Sequence, residues 1–191
     1  MELEQLWEQY SRLLKSTFDD PNPVIELLDA LGERMVTTPS GRFVNDPGCE
    51  PGGMIKMSLK TAKQATRLME AYDMPAEMKK SVVKVALLHD IGKVGDLKYD
   101  WLTPQDSSWH REKQGMYYKF FEADDIQRMS ISHRTLYLLQ HFGVKLSQDE
   151  WLAIQLAGGF HFEENRWYVN SEPGIATVIQ QAKYYVSKRS E

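Results

Sequence analysis

The chain has 191 residues, 42% of them hydrophobic and 26% charged, which is enough to bury one core and points to a single soluble domain over 1–191. With 23 Lys plus Arg against 27 Asp plus Glu, the net charge of −4 excludes a general attraction to nucleic acid or to an anionic membrane surface, so any phosphate binding must be local. Cys49 is the one cysteine, which excludes an internal disulfide and a cysteine-rich zinc site and suits a reducing compartment. The acidic start, Met1-Glu2-Leu3-Glu4-Gln5, lacks the basic-then-apolar pattern of a secretory signal, and the apolar runs are too short to span a bilayer. A cytoplasmic protein is the expectation.

Leu3, Leu6, Trp7, Tyr10, Leu13 and Leu14 recur at helical spacing and predict a first helix over Glu2 to Phe18, ended by Pro21 and Pro23. A short helix from Pro23 to Met35 follows. Thr37 to Gly53, with three prolines and four glycines, reads as loop. The next helix, Met54 to Tyr72, places Ile55, Leu59, Ala62, Leu68 and Met69 on or near one face. Pro75 suits the first turn of its successor, which runs to Ile91 through Met78, Val82, Val85, Ala86 and His89.

From Val94 to Ser107 the helical period lapses, and a surface loop with little regular structure is expected. Trp101, Trp109, Tyr117, Tyr118, Phe120 and Phe121 then form an aromatic-rich stretch interleaved with His110, Arg111, Lys113 and Lys119. It either caps a pocket or packs beneath a long loop. Ser132 is read as the cap of a helix through Phe142, and Ser147-Gln148-Asp149-Glu150 has the spacing of a capping box for a helix to Ala157, broken by Gly158-Gly159. A short β-hairpin is expected within residues 160–170. Pro173 opens the last helix, whose buried stripe should be Ile175, Val178, Ile179, Ala182, Tyr185 and Val186. The predicted fold is mainly α, a helical bundle.

The most informative segment is Val85-Ala86-Leu87-Leu88-His89-Asp90-Ile91-Gly92-Lys93, an apolar helix closed by an adjacent imidazole and carboxylate. Such a pair can share one cation, Gly92 can stop the helix, and Lys93 can reach a phosphate. The segment resembles the signature of the HD-domain metal-dependent phosphohydrolases. The likeness spans Gly52 to Ser187, with residues 1–51 as N-terminal helices and loop. It is closest to small stand-alone members, including those encoded by phages, in which a Pro-Gly-Gly segment such as Pro51-Gly52-Gly53 precedes the first-ligand helix.

The resemblance implies a divalent-metal site built from a histidine on one helix, the His-Asp pair on the next and an aspartate on a late helix. Only the central pair is present. Carried over by position, the first histidine falls on Met57 in Met57-Ser58-Leu59, a further histidine on Ala157, and the late aspartate on Lys183 in Gln180-Gln181-Ala182-Lys183. A thioether is a poor ligand for a hard cation, alanine supplies no donor, and lysine reverses the charge. Lys183 follows Ile179 by one helical turn, on or beside the buried face, and an inward lysine needs a partner. Asp90 is the natural one. The expectation is that the Lys183 ammonium substitutes electrostatically for the metal.

His133 in Ser130-Ile131-Ser132-His133-Arg134 resembles a further histidine that some members use for a second metal or for phosphate, and a first-turn His beside Arg134 suits an anion; a plain surface turn is the competing reading. His161 lies beyond the double glycine, too far along to stand in directly for Ala157. His141 reads as structural, whereas His110 with Arg111 and Lys113 suits phosphate contact. A positively charged pocket of Lys93, Arg111, Lys113, His133, Arg134 and Lys183, with Trp101, Trp109 and Tyr117 to stack a base, is therefore expected.

These observations lead to a catalytically degenerate HD-fold protein that binds a nucleotide or other phosphorylated small molecule without hydrolysis, and by analogy sequesters a signalling nucleotide. No cofactor is expected. One alternative is an active metal-dependent nucleotidase or phosphodiesterase in which His89 and Asp90, with an unusual ligand set, hold Mn, Fe, Ni, Zn or Mg. Another is a protein-interaction scaffold that kept only the bundle. Homo-oligomerisation is left open.

Overall fold

The computed structural model describes residues 2–123 and 127–188. Helices dominate: α1 (Leu3–Lys15), α2 (Asn22–Thr37), α3 (Gly53–Ala71), α4 (Lys79–Leu88), α5 (Ser108–Gln114), α6 (Ile131–His141), α7 (Gln148–Leu156) and α8 (Gly174–Lys188), with 3-10 turns at Ala76–Met78, Ile91–Val94 and Glu163–Tyr168. Among the described residues, no helix is long and apolar enough to cross a membrane.

Helix α4 forms the centre of the bundle because its sequence leaves it little choice. Val82, Val85, Ala86, Leu87 and Leu88 are all buried, so apolar residues surround the axis along its last two turns and must be covered on every side. α3, α7 and α8 pack on it, with α1 alongside through Leu6, Tyr10 and Leu14. Tyr10, itself fully buried, donates its hydroxyl to the Leu87 carbonyl at 2.8 Å and so fixes α1 against the end of α4. Burial then raises its pKa, with the charge of Asp90 acting in the same direction.

The helix boundaries depart from the sequence expectations where backbone chemistry overrides the apolar period. α2 is interrupted at Gly32, whose φ of 48° lies outside the helical range and suits a residue without Cβ. α4 ends at Leu88 rather than Ile91, with His89 at its C-cap and a 3-10 turn after it. Gly92 is therefore no helix stop. A Cβ there would stand 2.3 Å from the Ile131 carbonyl oxygen and 2.9 Å from the Thr135 nitrogen, so Gly92 is what lets α6 lie directly against the turn after α4. The cap of α6 is Ser130, not Ser132: its hydroxyl accepts from the His133 N–H. At α7 the capping box forms as read, with Ser147 and Glu150 exchanging side-chain and backbone bonds.

The two strands are not where the sequence suggested. Residues 160–170 hold the 3-10 turn Glu163–Tyr168, because buried Asn165 bonds back to the end of α7 and coils the segment instead of letting it pair. The antiparallel pair is β1 (Leu102–Pro104) with β2 (Tyr118–Phe120), registered Leu102 to Phe120 and Pro104 to Tyr118, and α5 forms the excursion between them. The stretch expected to be irregular, Val94 to Ser107, thus contributes a strand and is pinned by Arg34. That guanidinium binds the carbonyls of Val94, Asp96 and Tyr99 and the Asp100 carboxylate. On α8, Tyr185 lies outside the buried stripe that Ile175, Val178, Ile179, Ala182 and Val186 form.

Candidate functional site

The site is assembled where α4, α6, α7 and α8 converge. The central helix delivers His89 and Asp90 at its C-terminus, both almost fully buried. Asp90 Oδ2 meets Lys93 Nζ at 2.7 Å, one 3-10 turn further along, and Asp90 Oδ1 meets Lys183 Nζ at 2.9 Å from α8. One carboxylate is thereby bracketed by two ammonium groups. Lys93 is held further by the Ser40 hydroxyl at 2.8 Å.

Burial alone would push the Asp90 carboxyl up. Lys183, then Lys93 and His89, together with the hydrogen bond from Lys183, more than offset this and hold it well below the usual carboxylate range. His89 is neutral for the opposite reason: burial is the largest influence and, with Lys183 and Lys93 nearby, overcomes the pull of Asp90 to bring its pKa down to about 4. Its Nδ1–H donates to the Ala86 carbonyl at 2.8 Å, which leaves Nε2 unprotonated, 3.5 Å from Asp90 Oδ1.

This arrangement does not fit a divalent cation. Both Asp90 oxygens are engaged by ammonium groups, and a cation placed between His89 and Asp90 would face Lys183 and Lys93 as like charges. Among the described residues, no group of three or more His, Cys, Asp or Glu side chains is disposed to hold a metal. Met57 is half-buried on α3 and lines a separate hollow near Cys49, and Ala157 is a buried cap residue of α7 facing a cleft beside α8.

Next to the Asp90 cluster lies a cavity of about 400 Å³, of the size that holds a small molecule. Asp90, Lys93 and Lys183 line it, and Trp101 and Phe162 add aromatic surface. Ser130, Ile131 and Ser132 bring the N-terminus of α6 to the same space, where the Ile131 and Ser132 N–H groups come before that of Arg134, the first N–H with an intrahelical acceptor. Gln155, from α7, donates Nε2 to Asn165 Oδ1 at 3.1 Å, while its own Oε1 is buried without a partner among the described residues. Exposed Glu164 and His161 stand at the same cavity.

Only part of the expected pocket converges. Lys93, Lys183 and Trp101 meet there; Arg111, Lys113, Trp109 and Tyr117 are exposed and lie on α5 or just after it, away from the cavity lining. Arg111 donates to the Gln105 carbonyl, and His110 Nδ1 lies 2.7 Å from the Ser107 hydroxyl. His133 is exposed on α6, outside the lining. Arg134 is buried and structural: it binds the Gly92 and Met129 carbonyls and stacks its guanidinium 4.1 Å from the Trp101 ring centroid. Arg134 thus orients Trp101 from behind. The residues that sequence reasoning missed are Gln155, Phe162 and Asn165; the signal was one asparagine inside an aromatic run just beyond a double glycine.

No family model, curated protein or solved structure matches the chain.

Proposed function

We propose that the chain is a degenerate HD-type protein that binds a nucleotide or another phosphorylated small molecule and does not hydrolyse it. The observation that carries this reading is the bracketing of Asp90 by Lys93 and Lys183 on the floor of the cavity. On the cavity floor two ammonium groups against one buried carboxylate, with neutral His89, leave one surplus positive charge, and the start of α6 adds the partial positive end of its dipole; the second carboxylate of the lining, Glu164, is exposed to solvent. An anionic group is favoured there, in a protein whose net charge is negative.

Hydrolysis by the family route needs a cation to activate water and to stabilise the charge developing on phosphorus. In this chain Lys183 takes the electrostatic place of that cation beside Asp90, and neutral His89 is turned toward the helix carbonyl. A lysine can hold a phosphate but, unlike a metal ion, does not bind and ionise a water to make the nucleophile, which favours holding over turnover. Sequestration of a phosphorylated signalling molecule in the cytoplasm is the role that fits such a site.

Calorimetry on the purified chain with the common nucleoside mono-, di- and triphosphates tests the reading, with phosphate release followed in the presence and absence of Mn²⁺. Saturable one-to-one binding with no release is expected. Failure to bind any of the panel would favour a scaffold role, and release abolished by His89→Ala would favour an active enzyme.

A further inference from the structure

Lys183 faces two cavities. Besides lining the space above Asp90, it lines a second cleft of about 770 Å³ between α8, α3 and the end of α7, and Gly158 is the other residue common to both. The two residues that border both cavities are therefore a lysine ion-paired to Asp90 and a residue without a side chain. A Cβ on Gly158 would stand 2.9 Å from the Phe162 ring, so the glycine also lets that ring seat at the first cavity.

The second cleft has a distinct character. Tyr184 and Tyr185 stand along it, Leu68 and Ala157 supply apolar surface, and among the described residues its charged lining is Lys183 and Lys188 with no carboxylate. Lys188 Nζ lies 5.6 Å from the Tyr184 ring centroid, so the ring carries a cation at one side. Aromatic residues thus line both spaces, Trp101 and Phe162 one and Tyr184 the other, with Lys183 common to the two.

The geometry points to a ligand of matching layout: two flat rings joined through an anionic linker, that is, a free dinucleotide whose bridging phosphate sits at Lys183 and whose bases occupy the two cavities. This rests on the anion-binding reading above and assigns its ligand class. A long strand is disfavoured because the protein as a whole is acidic.

The test is calorimetric titration of the full chain with the four 5′-mononucleotides, the corresponding linear 5′-phosphorylated homodinucleotides and the matching hexanucleotides, on the native sequence and on Tyr184→Ala. Tyr184 is 67% exposed, so its truncation leaves the core intact, and an unchanged thermal midpoint verifies this. At least one dinucleotide should bind ten-fold or more tighter than its mononucleotide, and Tyr184→Ala should remove about ten-fold from the dinucleotide alone, as loss of one stacked base does. Equal affinity for mono- and dinucleotide, unaffected by Tyr184→Ala, overturns the two-cavity inference while the anion site stands. A hexanucleotide that binds tighter than the dinucleotide overturns it in favour of a strand-binding groove. Absence of binding by all three classes overturns both.

Discussion

Lys183 Nζ and Asp90 Oδ1, 93 residues apart in sequence, meet at 2.9 Å and join the last helix to the end of the central one. The contact matters because Asp90 is nearly inaccessible to water, and an ionised carboxylate survives there only with compensating charge. Lys93 supplies one partner and Lys183 the second, so the contact is a structural fastening, and the two lysines together leave one positive charge in excess of Asp90 on the cavity floor.

Removing the carboxylate is predicted to cost more than removing either lysine. Asp90→Ala leaves two ammonium groups facing each other at the bundle centre, and a loss of about 3–5 kcal/mol is expected in urea unfolding. Lys183→Met leaves Asp90 paired with Lys93, and with the Lys183 side chain 32% exposed the loss should be near ~1 kcal/mol. Equal losses would show that Lys93 alone does not compensate the charge of Asp90.

Stability should fall as the solution is acidified from neutrality, and His89 should account for the first part. Its folded pKa, about 4, lies below the ordinary 6.5, so between those values the unfolded chain binds the extra proton and acid favours unfolding. The contribution is on the order of 3 kcal/mol across the window. Asp90, held below its ordinary value, adds stability that is present above pH 3.8 and disappears as the pH falls through its folded value. Denaturant titrations at stepped pH should show the slope between pH 4 and 6.5 flattening in His89→Gln.

Gly92→Ala should be among the most damaging single-methyl additions. The new Cβ meets the backbone of α6, not the end of a flexible side chain, and it endangers the Gly92 N–H bond to Thr135 Oγ1 at 2.8 Å. A loss of about 1–3 kcal/mol is expected, together with weaker ligand binding as the N-terminus of α6 shifts. Thermal unfolding and the calorimetric titration measure the two effects.

Asn165→Ala should loosen the far wall of the cavity. The Asn165 amide donates to the Gln155 and Gly159 carbonyls and accepts from Gln155 Nε2, so truncation removes a partner from two buried groups and from the half-buried Gly159 carbonyl. About 1–3 kcal/mol should be lost, and hydrogen exchange should rise across Glu163–Tyr168.

The helical skeleton was legible because apolar spacing is regular, as at α1, and because capping chemistry marks a start such as the Ser147 to Glu150 box. The charged centre was legible too: a lysine one turn from Ile179 on a buried stripe has to find a carboxylate. What escaped depends on contacts distant in sequence. Nothing near Gly92 announces that α6 presses on it, and the pairing of Leu102 with Phe120 needs α5 folded out between them. Phe162 and Trp167 to Val169, flanking a polar run, imitate a hairpin, but Asn165 has its partners at the end of α7 and the segment coils. The basic residues of α5 looked like pocket residues because sequence reports their charge and not the side of the bundle on which they sit.

Diffraction from crystals soaked in excess Mn²⁺, collected with anomalous signal, tests the central claim most directly. The account predicts no anomalous peak between His89 and Asp90, with the Lys183 ammonium still within hydrogen-bond distance of the carboxylate. A coordinated ion at that position, with Lys183 turned out to solvent, would contradict it.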